Sequence, residues 1–567
     1  FTYLSDRKYW VMRNFVLLFL SALTCLTLGA QPVVTVGPYL QSPTPNSIKI
    51  KWRSDVAATS KVMFGTSPTS LNQAATDPAS TTWHTVTVTG LSPATRYYYA
   101  IYNDTTFAEG GDLLHTFRTF PTSGSDEHVR AWVIGDFGKG NDKQQRVRDS
   151  YLSFEANQTE ETDLWLWMGD NVYDDGLESE YLTKVFDSVW GYQHMMKRLP
   201  FEPCPGNHDY NTISPVQAPT PPLTHTGPYY DLVDVYQNAE AGGVASGHEL
   251  FYSYDYGDVH FVSLNSELGS LFNSADDWIG IYLFGSFNGS PMTQWLHQDL
   301  TANTKPWTVV YFHQPPYTDG SHDAGSFWEV FMQAMRENFA EIWEQYGVDL
   351  VLCGHSHVYE RSYLVKGAYS DVSQITQANI VQGTSGVDSI GEAYTKYTQG
   401  PGANTGTVYV VQGNSASVDD APAFTHPYMV AEYGCDTCAG SFILDVDSNR
   451  LDGRHIDMNG NVIDHFTILK TFGPVAAEVP EPAMEMTVGP NPFSNTTKVN
   501  FDLSEAANTS IRLTDATGKS MLVFEGILQQ GKQSIVVDGA KLKLAAGVYI
   551  LEVRAGEYKA ARSVQFQ

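Results

Sequence analysis

Leu164-Trp165-Leu166-Trp167-Met168-Gly169-Asp170-Asn171-Val172-Tyr173 carries an unbroken apolar run into a glycine, a carboxylate and a phenol. Such a run ahead of a glycine fits a buried strand of a parallel sheet. The same design recurs on either side. Ala131-Trp132-Val133-Ile134 runs into Gly135-Asp136-Phe137-Gly138, and Phe201 to Pro205 runs into Gly206-Asn207-His208-Asp209. Trp307-Thr308-Val309-Val310-Tyr311-Phe312 ends at His313, and Asp349-Leu350-Val351-Leu352-Cys353 runs into Gly354-His355-Ser356-His357. In α/β sheets, ligands gather beyond the carboxyl ends of the strands. Strands delivering Asp136, Asp170, Asn207, His313 and His355 to that edge form one polar rim of metal-ligand residue types. The glycines let the backbone turn sharply and come close to the site. Taken singly, a Gly-Asp is a turn, an Asn-His a loop, and a His-x-His a surface feature. Their appearance in order, each after an apolar strand, points to a shared site.

Around these blocks, from about 127 to 470, strands alternate with helical stretches such as Gln144 to Ala156 and Phe327 to Tyr346. That alternation argues for an α/β domain. Before it, residues 33 to 120 alternate apolar and polar, with Ser47-Ile48-Lys49-Ile50-Lys51-Trp52 as one strand and Lys61-Val62-Met63-Phe64 as another. Strands at such spacing indicate a β-sandwich. It holds no cluster of catalytic residue types and reads as structural. After the α/β domain, Gly473 to Glu485 is rich in Pro, Ala and Glu and reads as a linker. The final segment alternates again and ends in Gly547-Val548-Tyr549-Ile550-Leu551-Glu552-Val553, a second small β-sandwich. With Met12 taken as the start, Arg13, the apolar stretch Phe15 to Leu28 and the small pair Gly29-Ala30 form a cleaved secretory signal peptide. The stretch is shorter than the ~18–20 residues of a membrane anchor, and no later segment is apolar enough to span a bilayer. The expected division is 1–30 signal peptide, 31–122 first sandwich, 127–470 α/β domain, 471–485 linker and 486–567 final sandwich.

The 567 residues exceed what one core organises, and three or four units are expected. At 42% hydrophobic and 17% charged, the composition is that of a folded chain. The net charge of -29 repels nucleic acid and anionic lipid, so no nucleic acid partner is expected. An anionic substrate therefore needs local positive charge, which bound metal ions supply. Of five cysteines, Cys25 lies in the leader, and the remaining Cys204, Cys353, Cys435 and Cys438 are too few for a disulfide scaffold. Cys204 and Cys353 read as small buried residues. Cys435-Asp436-Thr437-Cys438 lacks a thioredoxin-like setting and is open to a local disulfide, free thiols or metal binding.

The order GDxG, GDxxY, GNHD, VxxH and GHxH resembles the purple acid phosphatase branch of the metallophosphoesterases. His355-Ser356-His357-Val358-Tyr359-Glu360-Arg361 is similar to that branch's HxHxYER pattern, as is Tyr252-Ser253-Tyr254-Asp255-Tyr256-Gly257-Asp258-Val259-His260-Phe261 to another of its blocks. The likeness spans about 33 to 470. Its N-terminal part, with Leu91-Ser92-Pro93-Ala94-Thr95-Arg96-Tyr97, also resembles a fibronectin type III domain. The resemblance implies an α/β metallophosphoesterase sandwich of two mixed sheets flanked by helices, preceded and followed by all-β sandwich domains. The final segment, with Gly489-Pro490-Asn491-Pro492-Phe493 near its start, resembles a type IX secretion sorting domain. That implies the type IX secretion machinery as a partner. It also implies export to the periplasm, removal of the tail and a secreted or cell-surface enzyme.

Carried over residue by residue, the resemblance implies a dinuclear centre. Asp136, Asp170, Tyr173 and His357 hold one metal; Asp170, Asn207, His313 and His355 hold the other, with Asp170 bridging. Two carboxylates and a phenolate suit Fe³⁺, and two imidazoles, an amide and a shared carboxylate suit a divalent ion: Zn²⁺, Mn²⁺ or Fe²⁺. The broader superfamily has a histidine in the first block, where this chain has Gly138, and Tyr173 stands in for it. The implied reaction is hydrolysis of small phosphate monoesters by water deprotonated between the cations. His208 is the expected general acid, tuned by Asp209, and His322 a phosphate contact, with Asp323 where some relatives carry a second histidine. Alternatives are a phosphodiesterase or nucleotidase with the same centre, or a surface-binding protein with an inactive enzyme fold. Loops such as 215–228 and 266–289 separate the monoesterase from the phosphodiesterase or nucleotidase. Glu360-Arg361 reads as a structural ion pair, and Trp165 and Trp167 as core.

Overall fold

The computed structural model describes residues 32–209, 227–267, 290–400, 402–420, 426–472, 486–515, 519–556 and 558–567. The expected signal peptide, nearly all of the linker, and most of loops 215–228 and 266–289 lie outside them. The chain divides into units 1–471 and 472–567.

The first unit contains two seven-stranded mixed sheets. In one, Val129–Ile134, Leu164–Met168 and Phe201–Cys204 are parallel neighbours, flanked by antiparallel Gly440–Asp447. In the other, Val259–Ser263, Trp307–Tyr311, Leu350–Cys353 and Val408–Gln412 run parallel in that order. Antiparallel Tyr359–Ser362 and Met429–Tyr433 complete its far edge. Every residue of Leu164–Met168, Trp307–Tyr311 and Leu350–Cys353 is buried, as continuous apolar strands covered on both faces require. One core cluster joins Trp132, Trp165, Leu166 and Phe201 of the first sheet to Phe261, Val309, Leu350 and Val410 of the second. The second sheet's outer face packs Val310, Phe312, Val351 and Cys353 against Met292 and Leu296 of helix Pro291–Ala302 and Met335, Phe339 and Trp343 of helix Val330–Gln345. Helix Asp142–Glu155 covers the first sheet with Val147 and Tyr151, the latter stacked on Trp132 at 4.1 Å. Its N-cap is Asn141, whose side chain accepts from the Gln144 amide. Trp165 and Trp167 are core, as expected.

The N-terminal part is a six-stranded antiparallel assembly built on two long strands, Ser47–Gly65 and Gln73–Thr89. Lys61 to Phe64 is therefore no separate strand but the continuation of Ser47 to Trp52. Its partner is itself unbroken, and register shifts between Arg53 and Ser60 absorb the irregular middle. Lys49 and Lys51 reach from this sheet to Asp234. The 472–567 unit holds a three-stranded and a four-stranded antiparallel sheet around Val499, Phe501, Ile511, Leu513, Leu551 and Val553. Among the described residues, no helix is long and apolar enough to cross a membrane.

Candidate metal centre

Strands Val129–Ile134, Leu164–Met168 and Phe201–Cys204 of one sheet, and Trp307–Tyr311 and Leu350–Cys353 of the other, end at one edge of the sandwich. The loop residues that follow them meet there. Asp136, Asp170 and His355 all adopt left-handed backbone, with φ of 57°, 47° and 68°. Non-glycine residues pay strain in this region, and it persists where surrounding structure holds it, commonly at functional sites. Gly206 is needed for a different reason. A Cβ there would lie 2.3 Å from the backbone nitrogen of Asp170, so any side chain would push the two loops apart.

His313 is buried, and its Nδ1 lies 2.8 Å from the Met168 carbonyl. A carbonyl only accepts, so Nδ1 carries a proton and Nε2 is the ring atom left to face the other loops. Facing that nitrogen are Asn207 Oδ1 at 3.1 Å, His355 Nδ1 at 3.2 Å and Asp170 Oδ1 at 3.3 Å. His355 Nε2 faces Glu329 Oε2 at 3.7 Å, beyond hydrogen-bond distance. Two acceptor oxygens and a second ring nitrogen thus converge on one ring atom, a demand that a proton on His313 or a bound cation meets.

A neighbouring group gathers further ligand-type atoms. His357 Nδ1 donates to Asp419 Oδ2 at 2.7 Å, which turns the Nε2 lone pair toward Tyr173 Oη at 3.3 Å and Asp136 Oδ1 at 3.6 Å. Tyr173 Oη lies 2.9 Å from Asp136 Oδ1, while Asp136 Oδ2 accepts from the His355 amide. Ligand atoms of Asp136, Asp170 and His313 lie within 4.8 Å of one another, which joins the two groups. The two groups, joined through Asp136, Asp170 and His313, therefore fit bound metal.

The electrostatics agree. Burial, with Asp170 nearby, lifts the Asp136 carboxyl to about 6. Burial opposes charge on His313, yet the carboxylates of Asp170 and Asp136 raise it to about 10. His355 is pushed down to about 3, chiefly by burial, and is neutral. Burial and then Asp136 hold the Tyr173 hydroxyl well above its usual range, so its ionisation calls for a metal ion in contact. The pocket has a negative field that favours cations.

His208 and His322 flank this group. His208 Nδ1 donates to the Asp174 carbonyl at 2.6 Å, and its Nε2 lies 3.9 Å from Asp170 Oδ2. His322 Nδ1 bonds Glu329 Oε1 at 2.7 Å, its ring lies 4.2 Å from that of His355, and the bond to Glu329 raises its pKa. Two sequence expectations are corrected here. Asp209 does not face His208. It is turned inward, accepting from the Asn171 and Gly206 amides, the Asn171 side chain and the Tyr181 hydroxyl, because buried donors of both loops need an acceptor. Glu360 and Arg361 do not pair, since successive strand residues point to opposite faces. Arg361 binds Asp464 through Nε and Nη2 at 2.6 and 2.9 Å.

Sequence reasoning missed Asp419 and Glu329. Asp419 lies 62 residues after His357 and Glu329 seven after His322, in loops that no spacing or periodicity marks. Of the cysteines, Cys435 and Cys438 form a disulfide, while Cys204 and Cys353 are free and buried.

Comparison with known proteins accords with this geometry. Residues 129–359 match the calcineurin-like phosphoesterase family, 35–119 the purple acid phosphatase N-terminal domain, and 487–566 the secretion system C-terminal sorting domain. Purple acid phosphatase 15 of Arabidopsis thaliana is 27% identical, over 49% of this chain and 49% of its own length. An acid phosphatase of Aspergillus ficuum is 25% identical, over 50% of this chain and 60% of its own. The chain thus spans about half to three-fifths of the length of these relatives. The purple acid phosphatase PPD1 from yellow lupin seeds shares the fold, with TM-score 0.56 at 17% identity, covering 79% of this chain and 78% of that one.

Proposed function

We propose, on the premise that this chain belongs to the calcineurin-like phosphoesterases of purple acid phosphatase type, that it is a secreted acid phosphatase acting on small phosphate monoesters. The family implies a dinuclear metal centre. The observation that carries the reading is the convergence of Asp170, Asn207 and His355 ligand atoms on His313 Nε2, beside the Asp136, Tyr173 and His357 group. In this reading Asp136, Asp170, Tyr173 and His357 hold Fe³⁺. Asp170, Asn207, His313 and His355 hold a divalent ion, Zn²⁺, Mn²⁺ or Fe²⁺. Metal ions bound there supply the positive charge that an otherwise acidic chain lacks, bind the phosphoryl group and lower the pKa of water.

The chain's own groups do the rest. With Nδ1 donated to Asp174, protonated His208 carries its second proton on Nε2, the atom that faces the cleft and reaches the leaving alcohol oxygen. Protonated His322, held by Glu329, offers Nε2–H to a phosphoryl oxygen. Met168 and Asp419 fix the ring orientations of His313 and His357.

The sorting domain points to secretion or the cell surface. The finer proposal is export through a signal peptide at 1–30 to the periplasm. The type IX machinery then handles the chain, and the tail at 486–567, joined by the linker 471–485, is removed. The 31–122 and 127–470 segments are the working enzyme.

The test is hydrolysis of a chromogenic phosphate ester by protein shown to carry two metals per chain, beside a panel of diesters and nucleotides. A metal-loaded protein inert toward every ester refutes the reading, and preference for diesters moves it to the phosphodiesterase alternative. A visible tyrosinate band that Tyr173→Phe abolishes supports Fe³⁺, whereas a colourless, fully active protein removes the iron.

A further inference from the structure

Glu360 and Glu432 stand directly opposite each other in the antiparallel pairing of Tyr359–Ser362 with Met429–Tyr433. Like charges in that position repel unless something lies between them. Asp319, in the loop after His313, brings a third carboxylate, and ligand oxygens of the three lie within 4.8 Å of one another. No lysine or arginine forms an ion pair with Glu360 or Glu432 among the described residues, and Arg361 is committed to Asp464 on the opposite face. Glu360 is 1% exposed. Its Oε1 accepts from the Asp319 amide at 3.1 Å, but its Oε2 has no hydrogen-bond partner, and Glu432 Oε2 is likewise buried and unpartnered. Orphan carboxylate oxygens this close together are costly unless a cation or a proton joins them.

We propose that Asp319, Glu360 and Glu432 form a binding site for a hard divalent cation, of Ca²⁺ type, distinct from the candidate dinuclear centre. The donors in the cluster are oxygens alone, with no imidazole or thiolate, which disfavours zinc and copper and suits calcium. Three carboxylates suffice to neutralise one divalent ion, which must displace the protons that burial holds on Glu360 and Glu432. Asp319 and Glu432 are only half-buried, which leaves the ion a way in. The affinity expected of an extracellular module lies at about 10⁻⁴ to 10⁻³ M. The site ties the loop after His313 to the far edge of the second sheet. Burial raises Glu360 well above the usual carboxylate range and Glu432 to about 8, as expected where no counter-charge is present.

The experiment uses the full chain with its catalytic metals loaded and counted. CaCl₂ is titrated by calorimetry, bound calcium is measured per chain, and thermal unfolding is followed with and without CaCl₂. The expected result is one Ca²⁺ beyond the dinuclear centre and an unfolding temperature that rises with CaCl₂. Glu432→Gln is expected to weaken binding about tenfold or more, with the catalytic metal count unchanged. Asp319→Asn carries the same expectation should Glu432→Gln fail to fold. A wild-type chain that takes up no calcium overturns the proposal. So does a variant that binds like the wild type, or preferential uptake of Mg²⁺. A wild type blind to calcium whose Glu432→Gln form melts higher in calcium-free buffer identifies a shared proton instead, and also overturns it.

Discussion

Replacing Asp209 by alanine cuts the tie between the loops that carry Asp170 and Asn207. Its carboxylate accepts from the Gly206 amide at 2.7 Å and the Asn171 amide at 3.0 Å, besides the Asn171 side chain at 2.9 Å and the Tyr181 hydroxyl at 2.6 Å. The Asn171 side chain keeps a second partner, the Cys204 carbonyl, and the Tyr181 hydroxyl can rotate. The backbone amides of Gly206 and Asn171 cannot adapt. Stranding a buried donor costs about 1–3 kcal/mol, so the two together lose about 2–6 kcal/mol. At about 1.4 kcal/mol per tenfold, that speeds amide exchange roughly 30-fold to 20,000-fold in the peptides that contain them. Asp209→Asn is the control. With its carbonyl oxygen in the Oδ2 position it keeps the Gly206 amide, the Asn171 side chain and the longer 3.2 Å bond from the Asn171 amide, and its own amide donates to Tyr181 instead. The cost is about 1 kcal/mol. Hydrogen exchange read by mass spectrometry over residues 164–172 and 201–209 measures both variants locally, which avoids the assumption that a chain of several units unfolds in one step. Asp209→Ala should also release metal more readily, since Asp170 and Asn207 lose their mutual anchor. Wild-type exchange in Asp209→Ala, or equal damage in Asp209→Asn, would show that Asp209 is not the tie.

Three further outcomes follow from buried groups. His260 is buried between Asp255 and Asp299, each at 2.8 Å; burial lowers its pKa, but those bonds win and raise it to about 9. Since this lies above the unfolded value of about 6.5, the stabilisation of up to ~3 kcal/mol is complete below pH 6.5 and lost as pH rises through 9. Thermal unfolding against pH should show that decline, and His260→Gln should flatten it. Asp419→Asn weakens the acceptor on His357 Nδ1 and should cost about 10–100-fold in metal affinity or turnover, read by metal retention during dialysis. Arg361→Met leaves Asp464 largely buried without its counter-charge, with only the Tyr359 hydroxyl still bonded to it, and should destabilise the catalytic unit by about 3–5 kcal/mol in denaturant titration, whereas Arg361→Met with Asp464→Leu should recover most of that.

Local pattern alone was enough to reveal the strands and the rim. Leu164 to Met168 is apolar on both faces because a parallel strand is covered on both sides, and the adjoining glycine and carboxylate mark where it leaves the sheet. That logic is short-range, so it also located Asp136, Asn207, His313 and His355. It failed wherever a side chain's direction depends on distant chain. Asp209 sits next to His208 in sequence yet turns to Asn171 and Tyr181, and Glu360 adjoins Arg361 yet meets Glu432 across a strand pairing. Asp419 and Glu329 lie in irregular loops and become partners of His357, His322 and His355 only once both sheets have closed.

What the amino-acid order determined by itself is the set of strands, the ligand-type residues at their ends and the family they resemble, because hydrophobic periodicity and turn chemistry act over a few residues. Which lone pair faces which ring, which carboxylate is spent on loop amides, and which three acids meet behind the rim were decided by the packing of the two sheets. Those relations join residues up to a hundred or more positions apart, and no spacing in the chain encodes the distance between them.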